Sequence, residues 1–460
     1  MNRLRTVIFL LAVLSLATGS LAQSKSDTDP SARGLRATSA ASAEGFILFT
    51  PLISNTVYLI NTDGEVVHTW TLDRPTSQEV FLLEDGSLVY QTTADSPILE
   101  ELAQVGGIAG RVQKISADLN PVWSFEYAGD SFQQHHDIEV LPNGNILLIA
   151  WEIISAEEAL ANGMRSEVLP ENGTVWPDQI VEIEPISGEI AWMWRVWDHL
   201  VQDTDPALPN YGVVAEHPER IDVNYVGLRR LGDWQHSNAI DYNPVLDQIM
   251  LSVRHFSEMW VIDHSTTTEE ARTSSGGRSG QGGDLLYRWG NPEAYQAGTA
   301  EDRALFAQHD AHWIEPGLPG EGNILIFNNG DELAGRLFSD MLEIAPLVSG
   351  SGRYSRAETG YSPAEIPWEY QASPAEALFA PYVSSLQRLP NGNTFVVNGT
   401  GGQMLEVTPD GEVVWEFLNP FKGNMPDETP FSPYSVFRAR YYAPDYPGLA
   451  VLGLNAEQAP

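Results

Sequence analysis

An all-β architecture, a six-bladed β-propeller of four-stranded antiparallel blades, is what this sequence predicts. Three observations carry the reading. Five separated segments repeat an apolar strand, a tight turn and a second apolar strand, with turns at Glu84-Asp85-Gly86, Pro142-Asn143-Gly144, Asn243-Pro244, Pro316-Gly317 and Pro390-Asn391-Gly392. Most of these pairs are followed by a second hairpin ending in an aromatic, as in Thr62–Trp70, Ser187–Trp192 and Pro409–Trp415. Four strands in series, repeated, is the pattern of a propeller blade. Seven residues before the turn markers stand Gln78, His136, His236, His309 and Ser384, so one slot of the repeat holds histidine three times.

Taken in chain order, residues 1–22 read as a secretory signal peptide. Arg3 and Arg5 precede an apolar run from Val7 to Ala17, and Ser20-Leu21-Ala22 supplies small residues for cleavage. Residues 23–43, rich in Ser, Ala, Thr and Asp, read as a disordered leader. Residues 44–460 form a single domain. Its units fall at 78–127, 135–194, 235–290, 308–370 and 382–418, and the flanking stretches 45–71 and 432–450 pair to make the sixth blade. A seventh blade, hidden in an insertion, is the competing count. The insertions 153–178, 196–233 and 264–284 are expected as lids or disordered excursions. Gly276–Gly283 reads as a flexible linker, because it lacks the Gly-Lys-Ser/Thr ending of a phosphate loop.

Composition narrows the function. With 25 basic and 62 acidic residues the formal net charge is −37, which argues against nucleic acid or an anionic membrane as partner. An anionic substrate therefore needs a locally positive site. The chain has no cysteine, so an exported fold must rest on its core, which 43% hydrophobic content can supply. Export places the mature protein in the periplasm or outside the cell.

First strands line a propeller's channel, so the repeated slot should converge there. His136, His236 and His309, with Arg254-His255, Asn328-Asn329 and Asn398 supplied by the second strands, would form a donor-rich pocket suited to a tetrahedral oxyanion. Converging neutral histidines also suit a metal, a reading that Arg254 disfavours. A third reading has the histidines only linking neighbouring blades by hydrogen bonds.

The runs Gly232–Tyr242 with Leu251–His255, Gln308–His312 with Phe327–Gly330, and Leu386–Trp415 resemble the bacterial arylsulfate sulfotransferase family over residues 45–450. The resemblance implies a periplasmic six-bladed propeller. Such a protein moves a sulfuryl group from a phenolic sulfate ester to a phenol through a sulfohistidine, with no nucleotide donor and no cofactor. It implies His236, His309, His136 and Arg254 as catalytic residues. Asn329, Asn238, His255, His312, Ser384 and Trp234 are implied as substrate contacts, Trp151 and Tyr382 as further aryl supports, with no metal ligand. Partners would be a small-molecule aryl sulfate and a phenol; a homodimer is left open.

The chain departs from the family at one place. The family's nucleophilic histidine lies later in the chain, yet no histidine follows His312, and the matching slot reads Tyr382-Val383-Ser384-Ser385. The nucleophile is then His136, His309 or Ser384, or the protein is a non-catalytic ligand-binding propeller. A quinoprotein dehydrogenase has too many blades and a vicinal cysteine pair that this chain lacks. A formylglycine-type sulfatase motif is missing as well.

Overall fold

The computed structural model describes residues 32–458 except 103–104, 229–230, 358–359, 362–363 and 427–428; the expected signal peptide lies outside these residues. Six antiparallel sheets surround a central channel as a six-bladed propeller. Blade 1 pairs Phe46–Pro51, Thr56–Asn61 and Val66–Thr71 with the late strand Val436–Tyr442, which takes the innermost place. Blades 2 to 6 follow in chain order, with inner strands Val80–Leu82, Phe132–Val140, Ser237–Asn243, His309–Trp313 and Ser385–Arg388. The ring is thus closed by pairing the two ends of the domain, which leaves no open gap between first and last blades.

Alternation of side chains explains why these segments are strands. Both faces of each inner sheet pack against a neighbouring blade, so runs such as Ile146–Glu152 and Gln248–Val253 are buried nearly throughout. Each fully buried Val, Leu, Ile or Phe stabilises by about 1.5–3 kcal/mol. The aromatics that end the second hairpins are wedges between blades. Trp70, Trp194 and Trp415 are at most 1% exposed, and the Trp415 indole donates to Thr62 O at 2.6 Å.

Two expectations are corrected. Gly34–Thr38, read as leader, adds a fifth strand to blade 6 by pairing with Val413–Leu418, and the Ala43 amide donates to Glu406. An otherwise open edge recruits it, although its composition is that of a disordered tail. The insertions are ordered as well. Residues 154–175 form a short strand pair and the helix Ala156–Ala161, capped by Ser155; Leu200–Val201 pairs in parallel with Ile221–Asp222. Met164, Val201, Val214 and Ile221 join the core between blades 3 and 4. The glycine-rich stretch is folded rather than a linker: Ser279 N donates to Asp263, and Gly283 O accepts the Trp194 indole at 2.7 Å.

What positions the site is an irregularity repeated at the channel entrance. The inner strands of blades 3, 4 and 5 each slip register, after His135, after Ser237 and after His309. His136, His236, Asp310 and Ser384 have φ of 51°, 53°, 57° and 92°. Such left-handed conformations cost on the order of 1–3 kcal/mol each in non-glycine residues, and buried carboxylates hold them. Asp137 accepts the Ile240 amide of the next blade, Asp178 the Ser237 amide, and Asp310 the Leu386 amide, at 2.8–3.0 Å.

Candidate active site

The bulges turn His136, His236 and His309 from three blades toward one mouth of the channel. The rings of His136 and His236 are 4.4 Å apart, and His255 stacks on His236 at 4.6 Å. His309 lies near enough that His136, His236 and Arg254 bear on one another's charge. His136, His255 and His309 are each held well below the ordinary histidine range, first by burial and then by neighbouring positive groups, foremost Arg254 for His309 and His236 for His136. These three are neutral bases at physiological pH.

Their hydrogen bonds settle the tautomers. Asn329 donates its amide to Ala380 O and Val383 O, so its Oδ1 is left to accept from His309 Nδ1 at 2.8 Å. The His309 proton therefore sits on Nδ1, and Nε2 carries the lone pair. His236 Nδ1 is bonded to the Asp233 carboxylate, and His255 Nδ1 donates to Asp233 O at 3.0 Å. Asp233 is further fixed by the Trp151 indole at 2.9 Å, and burial raises its pKa. A second chain backs His136: His135 Nδ1 stands 2.8 Å from His136 Nδ1, and His135 Nε2 stands 3.2 Å from Asp178.

Arg254 is the cation of the mouth, its guanidinium 5.4 Å from the Tyr382 ring. It borders a cleft of about 90 Å³ walled by Leu228, Leu333, Pro381 and Tyr382. On the other side Phe437 lies 6.3 Å from His136, and Leu52, Val383, Met425 and Phe431 continue an apolar wall. The floor is Arg438, paired with Glu79, Asp137 and Asp310 at 2.7, 2.8 and 3.1 Å. Two of these partners directly follow His136 and His309.

Of the expected site residues, His136, His236, His309, Arg254, His255 and Asn329 come together. Tyr382 borders the same mouth beside Arg254, and the remaining residues are held in other contacts. Ser384 sits at the expected entrance, but its hydroxyl donates to Tyr382 O and accepts from Gly399 N. Asn238 donates to Gln308 O between blades. Trp234 is fully buried, its indole on Tyr225 O and its ring against Trp197 and Phe256, so it is core and not an aryl platform. Trp151 is likewise buried, stacked on His135 at 3.9 Å. His312 lines the cavity on the opposite side of the Arg438 floor, because it lies three positions further along the inner strand than His309. Sequence reasoning missed Asp233, His135, Asp178, Glu79 and Arg438. Doublets such as His135-His136 and Arg438-Ala439-Arg440 were their only local signal.

Asp233, His236 and His255 are the described side chains whose ligating atoms cluster tightly enough to suggest a metal. The Asp233–His236 hydrogen bond and adjacent Arg254 fit a charge-relay pair better than a dication.

Among solved structures, a protein of unknown function from Bacteroides caccae is similar at 13% identity over 86% of this chain and 98% of its own, with a TM-score of 0.43. Virginiamycin B lyase from Staphylococcus aureus is similar at 12% identity, covering 85% and 86%, with a TM-score of 0.38. No argument about chemistry rests on either. A comparison with curated proteins gives no match. The family model described as Arylsulfotransferase (ASST) matches residues 33–416, and the chain belongs to that family.

Proposed function

We propose that this protein transfers a sulfuryl group from a phenolic sulfate ester to a phenol, with His309 as the covalent carrier. The observation that supports this most is the His309 tautomer. Asn329 holds its proton on Nδ1, so a neutral Nε2 lone pair is left for attack, and Arg254, whose charge acts most strongly on His309 among its neighbours, is at hand to clamp an anion. Ser384 is the poorer nucleophile, since its hydroxyl donates to the Tyr382 carbonyl and accepts from Gly399 N, and among the described residues no base contacts it.

In the first half-reaction Nε2 of His309 attacks sulfur while Arg254 holds the nonbridging oxygens. The S–O bond to the ring breaks with its electron pair going to the phenolate oxygen. That oxygen takes a proton from the imidazolium form of His236, which Asp233 stabilises. In the second half the acceptor oxygen attacks the sulfur and the S–N bond returns its pair to His309. The acceptor's proton passes to the His136–His236 pair. Aryl rings rest on the Phe437 wall and in the Tyr382 cleft.

Brief mixing of the purified protein with 4-nitrophenyl sulfate, without acceptor, should release one equivalent of 4-nitrophenol. Peptide mass analysis should then find one sulfuryl group on the peptide holding His309. Release without any label, or label on another residue, removes His309 from this role; neither release nor label leaves a ligand-binding propeller. Export through a cleaved signal peptide belongs to the same proposal, tested by N-terminal sequencing of protein recovered outside the cytoplasm.

A further inference from the structure

Behind the mouth lies a chain of side chains that the reaction above does not use. Asp178 is buried in blade 3, with Oδ2 accepting the Ser237 amide and Oδ1 facing His135 Nε2. A carboxylate can only accept, so the His135 proton lies on Nε2 and its Nδ1 presents a lone pair. The only hydrogen that can fill the 2.8 Å gap between the two Nδ1 atoms is then one on His136. His136 is thereby left with a bare Nε2. Its ring is clamped in that pose: the His136 amide donates to Gly107 O at 2.7 Å, and a Cβ at Gly107, whose φ is +76°, would lie 1.9 Å from His136 Cε1. A glycine is required for this close cover.

We infer that Asp178 and His135 are positioning residues that make His136 the base for the acceptor phenol, distinct from the His236 acid that serves the donor. This rests on the proposed transfer reaction. As the acceptor oxygen attacks sulfur, its proton moves to His136 Nε2. The resulting imidazolium shares its charge through His135 with Asp178. The proton then crosses to His236, whose ring is 4.4 Å away and which lost one to the departing phenolate. The cycle closes with no proton gained or lost. The burial that keeps His136 neutral agrees with this role.

The test separates the halves. For Asp178→Asn, the burst of 4-nitrophenol from 4-nitrophenyl sulfate should stay within about 3-fold of wild type, while sulfuryl transfer to phenol should slow on the order of 10²-fold or more. The acid limb of that second step should also shift. Independently, ¹⁵N NMR of the wild-type protein without substrate should show His136 as the Nδ1–H tautomer, which does not depend on the variant folding. Equal slowing of both halves, an unchanged second half, or an Nε2–H signal for His136 overturns the inference. A wild type with no burst at all defeats the transfer reaction itself, whatever the tautomer.

Discussion

The two ends of the channel are built from the same six inner strands and have opposite chemistry. Above the Arg438 floor, neutral imidazoles and Arg254 face the mouth. Below it, a cavity of about 110 Å³ is lined by Glu139, Asp241, Glu315 and His312. Burial raises both Glu139 and Asp241; the Asp241 carboxylate adds to the shift of Glu139, and Glu315 adds to that of Asp241. Position along the inner strand decides which end a side chain serves: His309 opens its strand at the mouth, and His312, three residues on, lines the lower cavity. The lesson is that an apparently continuous histidine motif, such as His309-Asp310-Ala311-His312, is split by the fold between two compartments.

The largest effect should separate those compartments. His309→Ala should lower 4-nitrophenyl sulfate turnover by at least ~10³-fold, whereas His312→Ala should remain within about 2-fold. Comparable losses in both would erase the distinction between mouth and lower cavity.

The floor comes next. Arg438→Met would remove the cation shared by Glu79, Asp137 and Asp310, leaving Arg440 on Glu79 and His312 beside Asp310, and breaking such a buried pair costs about 3–5 kcal/mol. Denaturant unfolding should show this loss, with Arg438→Lys recovering part of it. A variant as stable as wild type would mean that the two compartments do not depend on the guanidinium between them.

The smallest effect tests a histidine outside the channel. His264 bridges blades 3 and 4, with one ring nitrogen on Glu182 and the other on Asp247, each at 2.9 Å. Burial opposes its charge, but the two carboxylates win and raise its pKa. A raised folded pKa gives stability that is complete below the unfolded value of about 6.5 and is lost as pH rises through the folded value. Thermal melts of His264→Gln should therefore fall short of wild type at pH 5.5 and converge with it toward pH 9. A gap that does not narrow would mark the bridge as neutral packing.

Much of this was legible beforehand. Strand periodicity and turn residues located all six blades, and the recurrence of histidine at one slot located His136, His236 and His309. Their supporting partners were not legible, because Asp178 meets Ser237 across 59 positions and Arg438 meets Glu79 across 359. Contacts of that kind depend on ring closure and leave no local pattern. Trp234 was misplaced because it precedes the inner strand and packs into the core against Trp197 and Phe256, and His312 because it lies deeper along its strand than His309. Gly34–Thr38 was misassigned because pairing with an edge, and not its own propensity, makes it a strand.

The late placement of Val436–Tyr442 couples assembly of the mouth to synthesis of the strand that closes the ring. A ribosome that has reached residue 435 has made every histidine of the mouth, yet the guanidinium beneath them and the Phe437 face beside them do not exist. A complete mouth is thus withheld from any partly built chain until Val436–Tyr442 pairs with Phe46–Pro51.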